Sequence, residues 1–348
     1  MAVKMKDIAR ELGVSIVTVS KALRKHPDIS KATRERIEAK VRELNYHPNL
    51  AARSLVTGRS ALVGFVVPDL SHPFFADVAK ALSLALREHG YLLIMSSSEE
   101  DPELEQQEVD EMLAHRLDAI VVASCATNAA GLERLLQGET PLILVDRMFE
   151  GFSTHFVGSD DYAVGKLATE HLLAAGCKRI AHIRGPENST GRRRLKGFLD
   201  AMAKHNRPVP SERIVAAHSV DVDGKLHGAN ALRALRDLKH PPDGIFCYND
   251  VVATGVIMEA VRLGMDVPED LAVIGCGNLH FDDVIRVPLS SVDQRSSEIG
   301  TRVAKLIMEL KVEEASSQPR RVVLQPKLAA RASTARQKKT RAAGAAAD

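Results

Sequence analysis

Polar residues able to bind a ligand stand directly after short apolar runs, where buried strands would end. Asp69 follows ALVGFVVP, and Asp146 and Arg147 follow PLILV. Asn249 and Asp250 follow GIFCY. Carboxylates, an amide and a guanidinium both donate and accept hydrogen bonds, which suits a ligand that carries several hydroxyl groups. The sequence beside them contains no phosphate-binding loop, no spacing typical of metal ligands, and no nucleophile with a base to activate it. The pattern therefore favours reversible binding, and it predicts no catalytic residue, metal or cofactor.

Several other side chains could complete such a site. Asp160 and Asp161 follow the run HFVGS, and three consecutive arginines at 192–194 would suit a phosphate or carboxylate on the ligand. The chain has no Trp, and only 4% of its residues are aromatic. The candidates for stacking on a ring of the ligand are Phe74, Tyr162 and Tyr248. For each of these residues, and for His72, the competing interpretation is a helix cap, a packed core residue or a surface ion pair.

These residues need strands and helices to bring them together, and the pattern from Ala61 onward supplies both. Short apolar runs alternate with segments of helical periodicity, such as 74–89 and 251–263, and the alternation restarts after Tyr162. Repeated strand, helix, strand units of this length predict α/β subdomains with parallel sheets covered on both faces. Ligands bind at the carboxyl ends of the strands in such sheets, which is where the polar residues stand.

The amino-terminal stretch 5–23 has a different pattern, that of two short helices joined by a turn. Ile8, Ala9 and Leu12 form one apolar face, and Gly13 stands where a helix would end in a left-handed residue. Ser15 would cap the second helix. The residues left outward on that helix would face a partner and not a core; they are Ile16, Val17, Thr18, Ser20 and Lys21.

A third helix over 30–46, with Ile37, Val41 and Leu44 in register, would bury the apolar faces of the first two. Three helices with an exposed second helix match a helix-turn-helix, which places its second helix in the major groove of DNA. An ordinary small helical bundle is the alternative. The helix-turn-helix interpretation predicts that Ser15 and the outward residues of the second helix contact DNA.

The formal net charge of +2 conceals an uneven distribution. Residues 1–60 carry 13 Lys and Arg against 6 Asp and Glu, whereas residues 61–330 carry 29 against 38. Residues 331–348 carry 5 against 1. Because phosphate contacts dominate affinity for DNA, this distribution favours a DNA-binding module attached to a body that does not bind DNA.

Three blocks, MKDIARELGVSIVTVSKAL, SKATRERIEAKVRELNYHPN and AARSL, closely resemble the amino-terminal region of the lactose-repressor (LacI/GalR) family of bacterial transcription regulators. The resemblance continues to about Thr334. It implies a helix-turn-helix headpiece over 1–47, a hinge helix and linker over 48–60, and an effector-binding and dimerisation core over 61–334. The core would have a type I periplasmic-binding-protein architecture of two doubly wound parallel-sheet subdomains. Their implied extents are 61–161 with 292–322 and 162–291 with 323–334.

The resemblance also implies roles for individual residues. The hinge helix would enter the minor groove, with Leu55 as a wedge between base steps and Ala52 permitting close approach. Asn49 and Arg53 stand in the same segment and are expected to contact DNA. Effector contacts of the family map onto Asp146, Arg147, Arg194, Asn249, Asp250 and Gln294. The implied function is that of a repressor whose affinity for a palindromic DNA operator is controlled by a small molecule, a sugar, sugar phosphate or other sugar derivative, bound between the subdomains.

Two positions depart from the family pattern. Gly277 stands where an acidic residue usually binds effector hydroxyls, so either Asn278 substitutes for it or the effector is smaller, phosphorylated or not a sugar. Lys21 stands where arginine is common, and lysine cannot form the bidentate contact to guanine, so atypical bases in the operator half-sites are expected. A regulator of the same fold that responds to a non-sugar metabolite or to a protein partner stays open as an alternative.

The remaining expectations concern compartment and assembly. The chain shows no apolar run of about 18 residues and no secretion signal, so we expect a cytoplasmic protein with no membrane partner. Widely spaced cysteines predict reduced, mostly buried thiols; they are Cys125, Cys177, Cys247 and Cys276. The basic segment 335–348 is expected to be disordered, and without a leucine heptad there a homodimer is the expected assembly. A solute-binding protein or an α/β enzyme is the competing class.

Overall fold

The structure, a computed structural model, describes residues 3–46, 59–217, 221–312 and 318–336. The chain divides into an amino-terminal unit that ends at Ser60 and a larger unit that begins at Ala61. This division falls at the end of the predicted linker, 48–60. Most of that linker lies outside the described residues, including the four residues expected to contact DNA, Asn49, Ala52, Arg53 and Leu55.

Three helices form the described part of the amino-terminal unit; they are α1 Met5–Leu12, α2 Ile16–Leu23 and α3 Lys31–Glu43. Gly13 ends α1 at a φ of +64°, a conformation that glycine adopts without strain. The hydroxyls of Ser15 and Ser30 cap α2 and α3 by accepting from Thr18 N at 3.0 Å and Thr33 N at 3.2 Å. The buried residues that the helices share are Ile8, Ala9, Val19, Ala22, Ile37 and Tyr46. The predicted helix-turn-helix is confirmed.

Two six-stranded sheets form the framework of the larger unit. The strands, in chain order, are β1 Leu62–Val67, β2 Leu92–Ser97, β3 Ala119–Val122, β4 Leu142–Val145, β5 His155–Ser159, β6 Ile180–Arg184, β7 Ile214–Ala216, β8 Gly244–Cys247, β9 Ala272–Cys276, β10 Ser290–Asp293, β11 Arg321–Leu324 and β12 Lys327–Ala329. The first sheet has the order β11-β5-β4-β3-β1-β2 and the second the order β12-β10-β9-β8-β6-β7. Neighbouring strands are parallel except β10 and β12, which are antiparallel.

Helices cover both faces of each sheet. They are α4 Pro73–Glu88, α5 Pro102–Ala114, α6 Asp161–Ala174, α7 Ser189–Lys204, α8 Gly224–Arg236, α9 Asp250–Arg262 and α10 Ser296–Val312. Successive residues of β1 enter different cores, because side chains alternate along a strand: Phe65 packs with Leu82 of α4, and Val66 packs with Val109 of α5. The second sheet likewise has an apolar cluster on each face. The predicted architecture of two doubly wound subdomains is confirmed.

The chain passes between the two sheets after β5, after β10 and after β11. Because β10 pairs with β9, residues 292 and 293 lie in the second sheet. Because β11 pairs with β5, residues 323 and 324 lie in the first. The two strands end two residues beyond the approximate subdomain boundaries that the resemblance implies, after residues 291 and 322, and the extents of the subdomains stay a prediction.

The last described residues belong to the larger unit. Arg336 donates hydrogen bonds to Pro268 O at 2.9 Å and to Asp243 O at 2.7 Å. The expectation of disorder is therefore wrong at residues 335 and 336. The guanidinium of Arg336 binds backbone carbonyl groups of the larger unit, and amino-acid composition does not reveal such contacts. Residues 337–348 lie outside the described part of the chain.

The cysteines are free thiols, and Cys177, Cys247 and Cys276 are buried whereas Cys125 is half-buried, which confirms the prediction. Within the described residues, no helix has the length and apolar character needed to cross a membrane.

Two glycines allow α6 and α7 to pack closely. A Cβ at Gly165 would overlap the carbonyl oxygen of Arg194, and a Cβ at Gly197 would overlap the carbonyl oxygen of Tyr162. Each glycine therefore lies directly against the backbone of the other helix. This contact fixes the position of the backbone that carries Arg194, one of the candidate binding residues.

The substitution Gly197→Ala should lower the free energy of unfolding of the larger unit by about 1–3 kcal/mol, because the added methyl must push the two helix backbones apart. Gly138→Ala is the matched control: Gly138 is exposed, has a φ of −88°, and its nearest neighbouring atom would lie 3.5 Å from the new Cβ. Urea unfolding followed by circular dichroism measures both. Equal losses of stability in the two variants would contradict the close backbone contact as the cause.

Candidate functional site

The strand orders place a point of reversal in each sheet. In the first sheet β1 lies between β3 and β2, and in the second β6 lies between β8 and β7. The chain therefore builds each sheet first to one side of β1 or β6 and then to the other side. The crevice at the carboxyl ends of the strands at such a point is where open α/β sheets bind ligands. His72 follows β1 and Asn249 follows β8, and their side chains approach to 3.4 Å. The two crevices therefore face each other.

Eight buried polar side chains meet between the subdomains, and we call them the central polar group. None is more than 6% exposed. They are His72, Asp146, Arg147, Asp161, Arg194, Asp221, Asn249 and Gln294. Charged side chains are rarely buried so completely unless they are paired or functional.

The ion pair of Arg147 with Asp221 joins the first subdomain to the second. Arg147 Nη2 donates to Asp221 Oδ2, and Arg147 Nη1 donates to Ser124 O at 3.3 Å. Burial by itself would raise the pKa of Asp221, but the charge and the hydrogen bond of Arg147, together with the contributions of His72 and Arg194, outweigh burial and the pKa is lowered. Both partners are therefore charged, and bringing the subdomains together is coupled to the formation of this pair.

Asp146 ends β4 with a φ of +64°, a region in which Asp and Asn are better tolerated than most residues. Its Oδ1 accepts from Gln294 Nε2 at 3.3 Å, and its Oδ2 lies 3.6 Å from Arg147 Nε. Arg147 Nε is buried and has no hydrogen-bond partner in the described structure. Because a buried donor without a partner costs free energy, this nitrogen and the Asp146 carboxylate form a favourable place for a ligand hydroxyl.

Arg194 is held on two sides within the second subdomain. Its Nε donates to Asp161 Oδ1 at 2.9 Å and its Nη1 donates to Tyr248 O at 2.6 Å. The guanidinium also lies 4.6 Å from the centroid of the Tyr248 ring. The Tyr248 hydroxyl is 2.8 Å from Thr190 Oγ1, which fixes the ring in turn. Several contacts therefore hold the Arg194 guanidinium in one orientation, so it is a preorganised cation.

His72 and Asn249 each combine a helix cap with a contact inside the group. His72 Nδ1 accepts from Phe74 N at 3.3 Å, and Asn249 Oδ1 accepts from Val252 N at 2.9 Å. The remaining polar atom of the amide, Asn249 Nδ2, donates to Asp221 Oδ1 at 3.4 Å. Burial lowers the pKa of His72, so its imidazole is uncharged near neutral pH. Capping thus orients both side chains toward the other subdomain.

Asp160 and Asn278 are two of the predicted effector residues that do not join the central polar group. Asp160 caps α6 by accepting from Ala163 N at 3.3 Å and pairs with Arg193 Nη2 at 3.1 Å. Asn278 accepts from Arg331 Nη2 at 2.6 Å through its Oδ1. Asn278 therefore does not replace the acidic side chain that the neighbouring glycine lacks. For Asp160 the competing interpretation, a helix cap and a surface ion pair, describes the structure.

The position of Phe74 also differs from the expectation. Phe74 is 4% exposed and packs in the apolar core of the first subdomain. Its neighbour Phe75 lies beside the central polar group, with its ring centroid 5.5 Å from that of His72 and 6.0 Å from Arg147 Cζ. The two rings are adjacent in the sequence, and only the direction of the first turn of α4 decides which one faces the polar residues.

Asp250 is the first residue of α9, but its carboxylate binds inside the second subdomain. Both of its oxygens lie 2.8 Å from Ser291 Oγ, which donates to them, and Leu279 N donates to Oδ2 at 3.3 Å. Burial raises the pKa of Asp250 to about 6, and burial together with the Asp250 charge raises that of Asp282 to about 9. Asp250 thus organises the loop after β9, and the structure does not bring it to the central polar group.

Asp69 and Asp221 lie at the edge of the site. Asp69 accepts from Ser71 N at 2.7 Å and from Ser71 Oγ at 2.8 Å, and it lines a cavity of about 370 Å³ together with His72 and Asp221. Asp221 is the member of the group that sequence reasoning missed. It lies five residues beyond the end of β7, so a rule that selects polar residues directly after a strand does not reach it.

The amino-terminal unit presents a separate surface. Ile16 is 51% exposed and Val17 is 62% exposed on α2, whereas Val19 and Ala22 are buried. Lys21 Nζ pairs with Asp28 Oδ2 at 2.7 Å, and both side chains are partly exposed. Single exposed apolar side chains are common on protein surfaces, and here two of them lie side by side on one helix. The structure therefore places the predicted outward residues of α2 where DNA could reach them.

Known families and relatives match both units of the chain. Residues 60–332 match the family model described as periplasmic binding proteins and sugar binding domain of the LacI family, and residues 4–49 match the model described as bacterial regulatory proteins, lacI family. The ribose operon repressor of Halalkalibacterium halodurans is 31% identical over 307 residues, which cover 88% of this chain and 89% of that protein.

Solved structures agree with these matches. A LacI-family transcriptional regulator from Silicibacter pomeroyi aligns with a TM-score of 0.78 and 25% identity over 96% of this chain and 100% of that chain. The lac repressor dimer bound to operator and the anti-inducer ONPF aligns with a TM-score of 0.81 and 22% identity over 96% and 99% of the two chains, which shows the shared fold. Members of this family are transcriptional repressors and not enzymes. With both of its units matched in order along the chain, the protein belongs to the lacI family of bacterial regulatory proteins.

Proposed function

We propose that this protein is a repressor whose affinity for a palindromic DNA operator is set by a small polyhydroxylated molecule bound at the central polar group. The observation that carries the proposal is the buried Arg147–Asp221 pair beside Arg147 Nε, which has no hydrogen-bond partner in the described structure. A ligand there would touch both subdomains. It can change DNA affinity only to the extent that it binds two arrangements of the subdomains unequally.

The chemistry of the group supports a sugar or a sugar derivative as the ligand. Carboxylates, amides and guanidiniums alternate within it, so vicinal hydroxyls could donate to Asp146 and accept from Arg147, Arg194 or Asn249. The relative from Halalkalibacterium halodurans is named for a ribose operon, which supports the same class. Because Asn278 is bound to Arg331 and Gly277 has no side chain, the second subdomain offers one carboxylate fewer than the family pattern. That deficit favours a small or an anionic sugar.

The DNA contacts are proposed from the exposed surface of α2. Ile16 and Val17 can pack only against apolar parts of the bases, such as thymine methyl groups. Lys21 would exchange its solvent-exposed pair with Asp28 for a DNA phosphate, which costs little because exposed pairs are weak. The remaining proposed contacts are Ser15, Thr18 and Ser20 on this surface and Asn49, Ala52, Arg53 and Leu55 in the hinge segment. A regulator that binds chromosomal operators would act in the bacterial cytoplasm.

A homodimer is proposed from an apolar face of the larger unit. Val222 and Leu226, both exposed, line one cavity with Val251 and Phe281. Exposed Met258 stands seven residues after Val251 on α9, which places it on the same helix face. Exposed apolar residues that group on one face can mark a protein interface, and we infer one here, beside the cavity that Asp69, His72 and Asp221 also line. A two-fold dimer would match the symmetry of a palindromic operator, and a monomer in solution by light scattering would overturn this part of the proposal.

A carboxyl group between the subdomains makes the stability of the larger unit sensitive to pH. Glu100 follows β2 in the first subdomain, and its carboxyl group approaches the backbone N–H groups of Asp221 and Val222 in the second. Burial, and then the charge of Asp221, raise the pKa of Glu100 to about 7. The folded protein therefore retains a proton that the unfolded chain has released.

Replacing Ile16 and Val17 with alanine should weaken operator binding by about 1–3 kcal/mol, the loss typical of one mismatched base pair, and should leave binding to random duplex unchanged. Both side chains are exposed, so the fold should not be affected. Fluorescence anisotropy with an operator obtained by binding-site selection measures the two affinities. Leu136→Ala, which removes an exposed side chain of the larger unit, is the control. A parallel loss on both duplexes would mean that α2 does not recognise bases.

Asp146→Asn should reduce affinity for the ligand about tenfold or more, because it removes the charged acceptor while Asn suits the left-handed backbone at this position. A thermal-shift screen of the wild-type protein against sugars, sugar phosphates, sugar acids and nucleosides identifies the ligand. The stability of the ligand-free variant should match that of the wild type. Asp160→Asn is the matched control, since Asn caps a helix as well as Asp does and Asp160 lies outside the group. Undiminished ligand affinity in the Asp146 variant would remove Asp146 from the site.

Glu100→Gln should flatten the dependence of stability on pH. Because folding raises the pKa of Glu100 from 4.5 to about 7, its contribution is complete below the lower value and is lost as the pH rises through the higher one. The glutamine side chain does not titrate, so the melting temperature of the variant should decline less across this interval. Glu99→Gln, at the exposed neighbouring position, should keep the wild-type slope. If the melting temperatures of Glu100→Gln and the wild type declined equally with pH, Glu100 would not be the group that titrates.

A further inference from the structure

A second cavity lies outside the central polar group. It has a volume of about 730 Å³, and its walls are the loop between β4 and β5 from the first subdomain and the outer face of α7 from the second. No member of the central polar group lines it. A cavity of this size is sufficient for a metabolite.

The charge of this cavity is positive. Its cationic lining residues are Arg192, Arg193, Lys196 and Arg321, and its acidic lining residue is Glu150. Of the cations, Arg193 and Lys196 have carboxylate partners, Asp160 at 3.1 Å and Asp200 at 2.6 Å. The other two guanidiniums have no carboxylate partner among the described residues, so they carry the uncompensated charge of the cavity.

Arg192 and Arg321 face the cavity from different subdomains. Arg192 Nη1 donates to Glu187 O at 2.6 Å, a neutral acceptor that fixes the side chain without cancelling its charge. The guanidinium of Arg321 lies 5.8 Å from the centroid of the Phe156 ring, which supports it by a cation–π contact. Both arginines are therefore cations held at the cavity, one contributed by each subdomain, and both could bind an anionic group there.

The rest of the wall is apolar and aromatic. The apolar lining residues are Leu144, Met148, Phe149, Phe152 and Phe156. Phe149 and Phe152 pack edge to face, with ring centroids 6.1 Å apart and an interplanar angle of 82°. Met148 N donates to Ser189 Oγ at 2.9 Å, which attaches the loop to the start of α7. The occupant that these walls suit has an aromatic or apolar body and an anionic end.

We propose that this cavity is a second ligand site, which binds an organic anion through Arg192 and Arg321. Guanidinium groups form bidentate hydrogen bonds with phosphates and with carboxylates, so either group can be the anionic end. Because the walls come from both subdomains, the bound anion would hold the loop against α7 and influence their arrangement. This regulatory consequence rests on the proposed function, whereas binding at the site does not.

Calorimetric titration of the full-length protein with naphthyl phosphate, naphthoate and neutral naphthol tests the proposal. Naphthyl phosphate or naphthoate should bind, the stronger of the two identifying the preferred anion, and naphthol should bind at least about tenfold more weakly. The double variant Arg192→Gln with Arg321→Gln should lose about tenfold or more in affinity for the anion. Glu150→Gln, which removes the acidic side chain of the wall, should raise that affinity.

Two further variants distinguish binding in this cavity from general attraction to positive charge and from binding at the central polar group. Arg236→Gln removes one exposed positive charge of α8 away from the cavity and should leave anion binding unchanged. Asp146→Asn should also leave it unchanged, because Asp146 belongs to the central polar group. The proposal is overturned if neither anion binds, if binding survives the double arginine variant, or if Asp146→Asn abolishes it. Measuring operator affinity with and without the bound anion then tests the regulatory consequence alone.

Discussion

The ion pair between Arg147 and Asp221 is the interaction on which the arrangement of the two subdomains depends. A buried pair contributes little net stability, because removing two charges from water costs about as much as their attraction returns. Opening the subdomains would rehydrate both charges together, so the closed and open arrangements can lie close in free energy. Removing one partner is different, since it leaves a single buried charge and costs about 3–5 kcal/mol. A pair of this kind therefore adds little to stability, but it suits a protein that changes between two arrangements of its subdomains.

The surrounding structure keeps the polar side chains in place with backbone contacts. His72 and Asn249 use one polar atom to cap a helix and direct another toward the opposite subdomain. The glycine contact between α6 and α7 fixes the helix that carries Arg194 relative to Asp161, the first residue of α6. Side chains oriented in this way lose little further entropy when a ligand binds, so ligand affinity can be used to shift the arrangement of the subdomains.

Much of the fold could be predicted from the sequence, because periodicity and strand-end polarity are local properties. The choice between neighbouring residues could not. In three places two neighbouring residues differ only in the direction that the start of a helix gives their side chains, and three-dimensional packing decides which one reaches the site. The pairs are Asp160 and Asp161, Phe74 and Phe75, and Asn249 and Asp250. Asp221 is brought to Arg147 across the boundary between subdomains, at a separation of 74 residues in the chain. No local pattern encodes such a pairing.

If the buried charges between the subdomains control DNA binding, removing them together must change it. The most direct test measures the operator affinity of the full chain with Arg147→Gln and Asp221→Asn combined, a pair of changes that removes both charges and keeps a polar side chain at each position. We expect ligand-free operator affinity to change by about fivefold or more, because the balance between the two arrangements shifts by about 1 kcal/mol or more, and we expect the response to ligand to be reduced. An operator affinity and a ligand response that both match the wild type would contradict this control by the buried charges.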